Sequence, residues 1–156
     1  MNDVRFSSAI HMLVMISEAN EPLSSARLAE SVGTNASYIR KIAASLRRAG
    51  IIESRRGSSG YRLARPASDI TLLEVYKAAC ETDCVSVFDL HQNPNDECIV
   101  GRHIRPVLRH VFSGISQTAA EELASCNLAD CIGELAREIK DSDDAAELAA
   151  LKGVAL

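Results

Sequence analysis

Residues 27–52 read RLAESVGTNASYIRKIAASLRRAGII, and residues 55–63 read RRGSSGYRL. In the first stretch Leu28, Ala29 and Val32 recur at helical spacing, Ser24 or Ser25 is placed to cap that helix, and Gly33 stops it. Thr34 and Asn35 are turn residues. A further helix is predicted from Ala36 to Ala49, burying Ile39, Ile42, Ala43 and Leu46, with Gly50 suited to its C-terminal cap. IIES (51–54) and YRL (61–63) are short β-type runs, and GSSG (57–60) between them predicts a hairpin turn, because glycine adopts the positive φ such turns require.

Working outward, Phe6, Ile10, Leu13, Val14 and Ile16 predict a helix over 4–19, ended by Asn20, Glu21 and Pro22. Helix, helix–turn–helix and β-hairpin in that order predict a mainly α fold with a small β-hairpin, a winged helix–turn–helix. Downstream of Pro66, Ser68 or Asp69 is expected to cap a helix across ITLLEVYKAAC (70–80). Residues 81–100 read as irregular, with a turn at NPND (93–96). A long helix is expected from about Arg102 to Ala124, with Pro106 near its start, where a missing N–H costs little. Its apolar stripe is Ile104, Leu108, Val111, Ile115, Ala119 and Leu123. Asn127 caps a last helix through Ile139, and DSDDAAELAALKGVAL (141–156) reads as a frayed helix or tail.

The composition narrows the function. The chain has 156 residues, 47% of them hydrophobic, no Trp, and a formal net charge of −4. That net charge hides a split: residues 1–65 carry ten Lys/Arg against five Asp/Glu, whereas residues 66–156 carry seven against sixteen. The basic part is a candidate polyanion-binding surface. No apolar run approaches the roughly 20 residues of a membrane span. The N-terminus has neither a basic leader nor a cleavage site, so a cytoplasmic, non-membrane protein is expected. Five cysteines in such a chain argue against a disulfide framework.

In a helix–turn–helix the second helix enters the DNA major groove, and its N-terminal residues meet base edges. Here that end is TNASYIRK (34–41). Asn35, Ser37, Tyr38, Arg40 and Lys41 offer donors for phosphates and bases, as does Ser25 at the start of the preceding helix. Arg47 and Arg48 lie further along and suit solubility or backbone contact. In the hairpin, Arg55, Arg56, Ser58 and Tyr61 suit a wing that tracks the phosphate backbone or reaches the minor groove. A solvated basic face would carry the same residues singly; the ordered succession of capped helix, glycine turn, basic helix and basic hairpin favours double-stranded DNA. A phosphate-binding loop of a nucleotide enzyme does not fit, because Gly60 is followed by Tyr61 and Arg62 rather than by Lys and Ser/Thr opening a helix. No Ser/His/Asp or Cys/His/Asn set stands out, so the chain does not read as an enzyme.

Three blocks, RLAESVGTNASYIRKIAASLRRAGII (27–52), RRGSSGYRLARPASDITLLEVYKA (55–78) and HQNPNDECIVGRHI (91–104), resemble the bacterial winged-helix regulators that include IscR, NsrR and CymR, and most of all their YwnA-like branch. The likeness covers residues 4–140. It implies a homodimeric regulator, expected to be a repressor, on a pseudo-palindromic operator. It also implies that the helix from 102 is the dimerisation helix. The chain then divides into a DNA-binding domain (1–66), a linking helix with a sensor-type loop (67–101), the dimerisation and terminal helices (102–140), and a tail (141–156).

In the cluster-binding members of that family, three spaced cysteines before the dimerisation helix hold an iron–sulfur cluster. Cys98 falls at the last of those positions, while Ser86 and Gln92 stand near the other two. The resemblance therefore leans away from a cluster, and no cofactor is expected. An alternative is a metal or cluster held by Cys98 with Cys80, Cys84, His91 and His103, although their spacing matches no established motif. A thiol sensor at Cys98, or at the Cys80/Cys84 pair if the helix at 70–80 continues, is the preferred reading, because a helix N-terminus and neighbouring Arg102 and His103 lower a thiol pKa. Burial as small apolar residues would equally account for the cysteines, and for Cys131 that reading is favoured.

Overall fold

The structure, a computed structural model, describes residues 4–54 and 60–140 together with 142, 144 and 149. Helix α1 spans Arg5–Glu18, α2 Ser25–Val32 and α3 Ala36–Arg48. Strands β1 (Ile52–Glu53) and β2 (Arg62–Leu63) pair antiparallel, with Ile52 opposite Leu63 and Glu53 opposite Arg62. A 3-10 turn at Ala67–Asp69 leads to α4 (Leu72–Cys80), then α5 (Ile99–Ser125) and α6 (Leu128–Lys140).

Local sequence explains the first three helices. The Ser24 hydroxyl accepts from the Arg27 N–H at 3.2 Å and caps α2, while Gly33, at φ +74°, closes it in the left-handed conformation. The Asn35 carboxamide oxygen accepts from the Tyr38 N–H at 2.9 Å and caps α3. A shared core holds them: Met12, Leu13 and Ile16 of α1, Leu28 of α2, Ile39, Ile42 and Leu46 of α3, and Ile51 and Ile52 at the hairpin. Ile70, Val75, Ala79 and Leu128 belong to the same core, so α4 and the start of α6 pack onto the helix–turn–helix. Phe6 and Tyr76 add an edge-to-face contact at 5.3 Å between α1 and α4.

The hairpin has a third edge. Leu23 and Tyr61 exchange backbone hydrogen bonds, with the Tyr61 N–H donating to the Leu23 carbonyl at 2.9 Å. This brings Gly60 so close to Pro22 that a Cβ on it would sit 2.6 Å from the proline Cβ, and its φ is +154°. Glycine is required there by close approach as well as by conformation.

Several boundaries differ from the sequence expectations. Thr71, not Ser68 or Asp69, caps α4, in a capping box with Glu74. Helix α4 ends at Cys80 because Glu81 turns left-handed at φ 53°, so Cys80 and Cys84 do not share a helix face. Helix α5 begins at Ile99 rather than Arg102, which leaves Pro106 inside the helix. Without an N–H at Pro106, the Arg102 carbonyl loses its regular intrahelical donor. The 27 residues of α5 extend for about 40 Å. At its far end Leu72 and Leu128 donate backbone hydrogen bonds to Cys126 and Ile70, each at 2.9 Å, pinning the turn into α6 against the start of α4. Asn127 caps α6 as expected: its side chain accepts from Asp130 at 3.1 Å, and Asp130 reciprocates at 2.8 Å.

Candidate nucleic-acid interface

Burial of Ile39, Ile42, Ala43, Ser45 and Leu46 turns the opposite side of α3 outward, exposing Ser37, Arg40, Lys41, Arg47 and Arg48. Arg40 donates to the Ser37 hydroxyl at 3.0 Å and to the Ser25 hydroxyl at 3.3 Å. Three of the residues singled out from the sequence thus meet on one face, where the first turn of α2 crosses α3. Lys41 is exposed beside them. The arrangement holds a guanidinium, two hydroxyls and an ammonium next to the N-terminus of α3, groups suited to phosphate oxygens and base edges.

The remaining sequence candidates are placed differently. The Asn35 side-chain oxygen is committed to the α3 cap. Tyr38 packs against the core, and its buried hydroxyl has no hydrogen-bond partner among the described residues. Tyr61 also packs against the core, and its backbone forms the bridge to Leu23. Arg55, Arg56 and Ser58 lie outside the described residues. Arg62, exposed on β2 opposite Glu53, adds a cation next to the hairpin turn that the sequence shortlist lacked.

The two arginines ending α3 have partners that no local pattern announces. Arg47 donates to the Ser54 hydroxyl at 3.2 Å, joining α3 to the hairpin. Arg48 donates to the Glu81 carboxylate at 2.6 Å and to the Ser45 hydroxyl at 2.9 Å, while Ser45 donates to the same carboxylate oxygen at 3.0 Å. The Ser45 hydroxyl and the Arg48 guanidinium hold the Glu81 carboxyl below its ordinary range.

The stripe expected to face a second copy divides along α5. Val111 and Ile115 are 48% and 42% exposed, joined by Val107 at 56% and Val100 at 62%. Ile104, Leu108, Ala119 and Leu123 are half-buried. The outward apolar face is therefore Val100, Val107, Val111 and Ile115. Phe112, on another side of α5, meets Phe88 at 5.2 Å.

Among the cysteines, Cys98 is the N-cap residue of α5 and is exposed. The backbone N–H groups of Gly101 and Val100 face its sulfur and lower its thiol pKa. Cys84 is exposed in the segment after α4, Cys80 is half-buried at the end of α4, and Cys126 closes α5. Burial, then the Asp130 charge, pushes the half-buried Cys131 thiol up. Among the described residues no three His, Cys, Asp or Glu side chains are grouped to hold a metal ion. At the three positions the resemblance marks for a cluster, the donors are one thiolate, the hydroxyl of Ser86 and the carboxamide of Gln92. Hydroxyl and amide oxygens are poor substitutes for thiolates on iron. The residues present do not fit that group.

Capped helices crossing at a cationic face, with a bridged hairpin beside them, define a winged-helix DNA-binding regulator. A family model described as Rrf2, iron-dependent transcriptional regulator, matches residues 3–134. The chain belongs to the Rrf2 family, whose members are DNA-binding regulators rather than enzymes. It is 38% identical over 135 residues to the candidate HTH-type transcriptional regulator YwnA of Bacillus subtilis (strain 168), covering 86% of this chain and 99% of that protein. A crystal structure of a candidate DNA-binding protein is similar at a TM-score of 0.66 and 36% identity, covering 82% of this chain and 98% of that one. IscR of T. potens shares the fold at a TM-score of 0.63 and 21% identity, over 86% of this chain and 88% of that one.

Proposed function

We propose that this regulator is a cytoplasmic homodimer that binds a pseudo-palindromic operator in double-stranded DNA, represses transcription from it, and responds to a redox or small-molecule signal. The observation that carries the DNA reading is the Ser25–Arg40–Ser37 junction. In this reading α3 lies in the major groove with Arg40 and Lys41 at the bases or phosphates. The wing, including Arg55, Arg56 and Ser58, follows the backbone.

The outward face of α5 supports the dimer. Four large aliphatic side chains in one row favour burial against an identical row, and a two-fold axis there repeats the reading head. Two heads related in this way call for half-sites about one helical turn apart, or a multiple of it. Cys98 supports the redox signal: it is exposed, its thiol pKa is lowered, and it opens the same helix that would set the spacing of the heads. Oxidation there adds bulk and polarity at the root of α5.

The test is an electrophoretic mobility shift on the protein's own upstream DNA, with and without thiol oxidant. A specific complex that weakens as salt rises supports the reading. Absence of a complex under reducing and oxidising conditions alike overturns it.

A further inference from the structure

Between α4, the segment after it and α5 lies a groove of about 680 Å³, within the usual size of small-molecule sites. Three contacts link its walls. The Val87 N–H donates to the Ser116 hydroxyl at 3.3 Å, the Ser86 N–H donates to the Tyr76 hydroxyl at 3.4 Å, and Phe88 meets Phe112. Lys77 and Arg109 line it as cations, Asp83 and Glu121 as anions, and Phe88 and Phe112 supply an aromatic wall.

These four charges share one groove without pairing with each other, and the Glu121 carboxylate accepts from the Gln117 side chain at 2.8 Å. Among the described residues no ion pair joins any two of them, whereas Arg27–Glu30, Arg48–Glu81 and Arg65–Glu74 do pair elsewhere. A ligand with a single charge satisfies one sign and leaves the other facing it. A ligand with both signs and an apolar side chain meets the cations, the anions and the aromatic wall together. We infer that this groove binds a zwitterionic, amino-acid-type molecule with an apolar or aromatic side chain.

The position suits an effector. Groove residues such as Arg109, Phe112 and Ser116 stand on the side of α5 away from Val107, Val111 and Ile115, at 100° of rotation per residue. Filling the groove does not compete with pairing through that row. Lys77 and Asp83 flank Glu81, whose carboxylate holds Ser45 and Arg48 of α3, and the Lys77 carbonyl accepts from the N–H groups of both Glu81 and Thr82. A molecule that grips Lys77 and Asp83 acts on the turn that anchors the reading helix. The effector role rests on the DNA-binding reading; the binding itself does not.

Isothermal titration calorimetry on the full chain, without DNA, tests it with L-leucine, L-phenylalanine and the dipeptide leucyl-phenylalanine as probes. Phenethylamine and hydrocinnamate, each lacking one of the two charges, are the controls. Saturable binding of at least one zwitterion is expected, weaker by about tenfold or more for the controls and for both Arg109→Gln and Asp83→Asn. Which of the three binds separates a free amino acid from a peptide. Binding by none of them, equal binding of a control, or unchanged binding by both variants overturns the inference. A mobility shift without any probe reports separately on DNA binding.

Discussion

The Arg48 guanidinium lies 2.6 Å from the Glu81 carboxylate, and the two residues are 33 positions apart in the chain. One belongs to the last turn of α3, the other is the left-handed residue that ends α4. Ser45 completes the junction from inside α3. Both charged side chains remain largely exposed, so their attraction is screened and modest. The value of the contact is geometric: it fixes the head relative to the segment leading into α5.

The contact has a definite pH signature. Its partners hold the Glu81 carboxyl below its ordinary value of 4.5 in the folded chain. The unfolded chain therefore binds the proton first, and the stabilisation is present above that value and fades as pH falls through the lower folded one. Urea denaturation of the wild type and Glu81→Gln at neutral pH and at about pH 3 checks this. The wild type is expected to be the more stable at neutral pH, and the gap should narrow in acid. A constant gap would contradict it.

Gly60→Ala places a methyl group against Pro22 and forces a conformation L-residues avoid. A loss of about 1–3 kcal/mol is expected, read as a lower thermal midpoint. Gly133→Ala is the counterpart: it lies within α6 with nothing within 4 Å of the new methyl. That change should stabilise by about 0.5–1 kcal/mol.

Cys98 should react as a thiolate at lower pH than an ordinary thiol, because Gly101 and Val100 direct their N–H groups at it. The rate of iodoacetamide labelling, followed site by site with mass spectrometry, is expected to rise with pH through a midpoint below 9.0 for Cys98. The half-buried Cys131 should label later. Labelling of Cys98 only at the alkaline pH of an ordinary thiol would contradict this.

Val111→Glu puts a charge in the middle of the outward aliphatic row of α5, where it faces water in a single chain. Far-UV circular dichroism should be unchanged, while the proposed dimer of the wild type should sediment as monomer in the variant at micromolar protein. A variant that sediments as the wild type would remove this row from the dimer interface.

The head was legible because its signals are local. Ser24 and Gly33 are caps whose residue types announce their positions, and Leu28, Ile39, Ile42 and Leu46 keep helical spacing, whereas Asn35 reads as a turn residue and is the cap of α3. Sequence reading failed where the deciding group was backbone or distant. Cys98 is not a usual N-cap residue, and Pro106 suits a first turn, so the sequence points to a start near Arg102 while α5 begins at Ile99. The stripe ending Val111, Ile115, Ala119, Leu123 takes successive steps of four. Each step rotates it about 40° around a helix of 3.6 residues per turn, which carries it from the exposed row into the packed face. Val107 stands a step of four before Val111, whereas the stripe read from the sequence passes through Leu108. Glu81 had no local signature, since its meaning comes from Arg48 and Ser45 in another helix.

The face joining Ser25, Ser37 and Arg40 is proposed to bind DNA. This binding is tested most directly by fluorescence anisotropy on the protein's own upstream duplex, comparing the wild type with Arg40→Ala at two salt concentrations. The wild type is expected to form a specific complex whose affinity falls steeply with salt. Arg40→Ala should weaken it by about 1–3 kcal/mol, or roughly five- to 150-fold. Equal affinity of wild type and Arg40→Ala for that duplex, or no preference for it over an unrelated sequence, would show that this face does not read DNA.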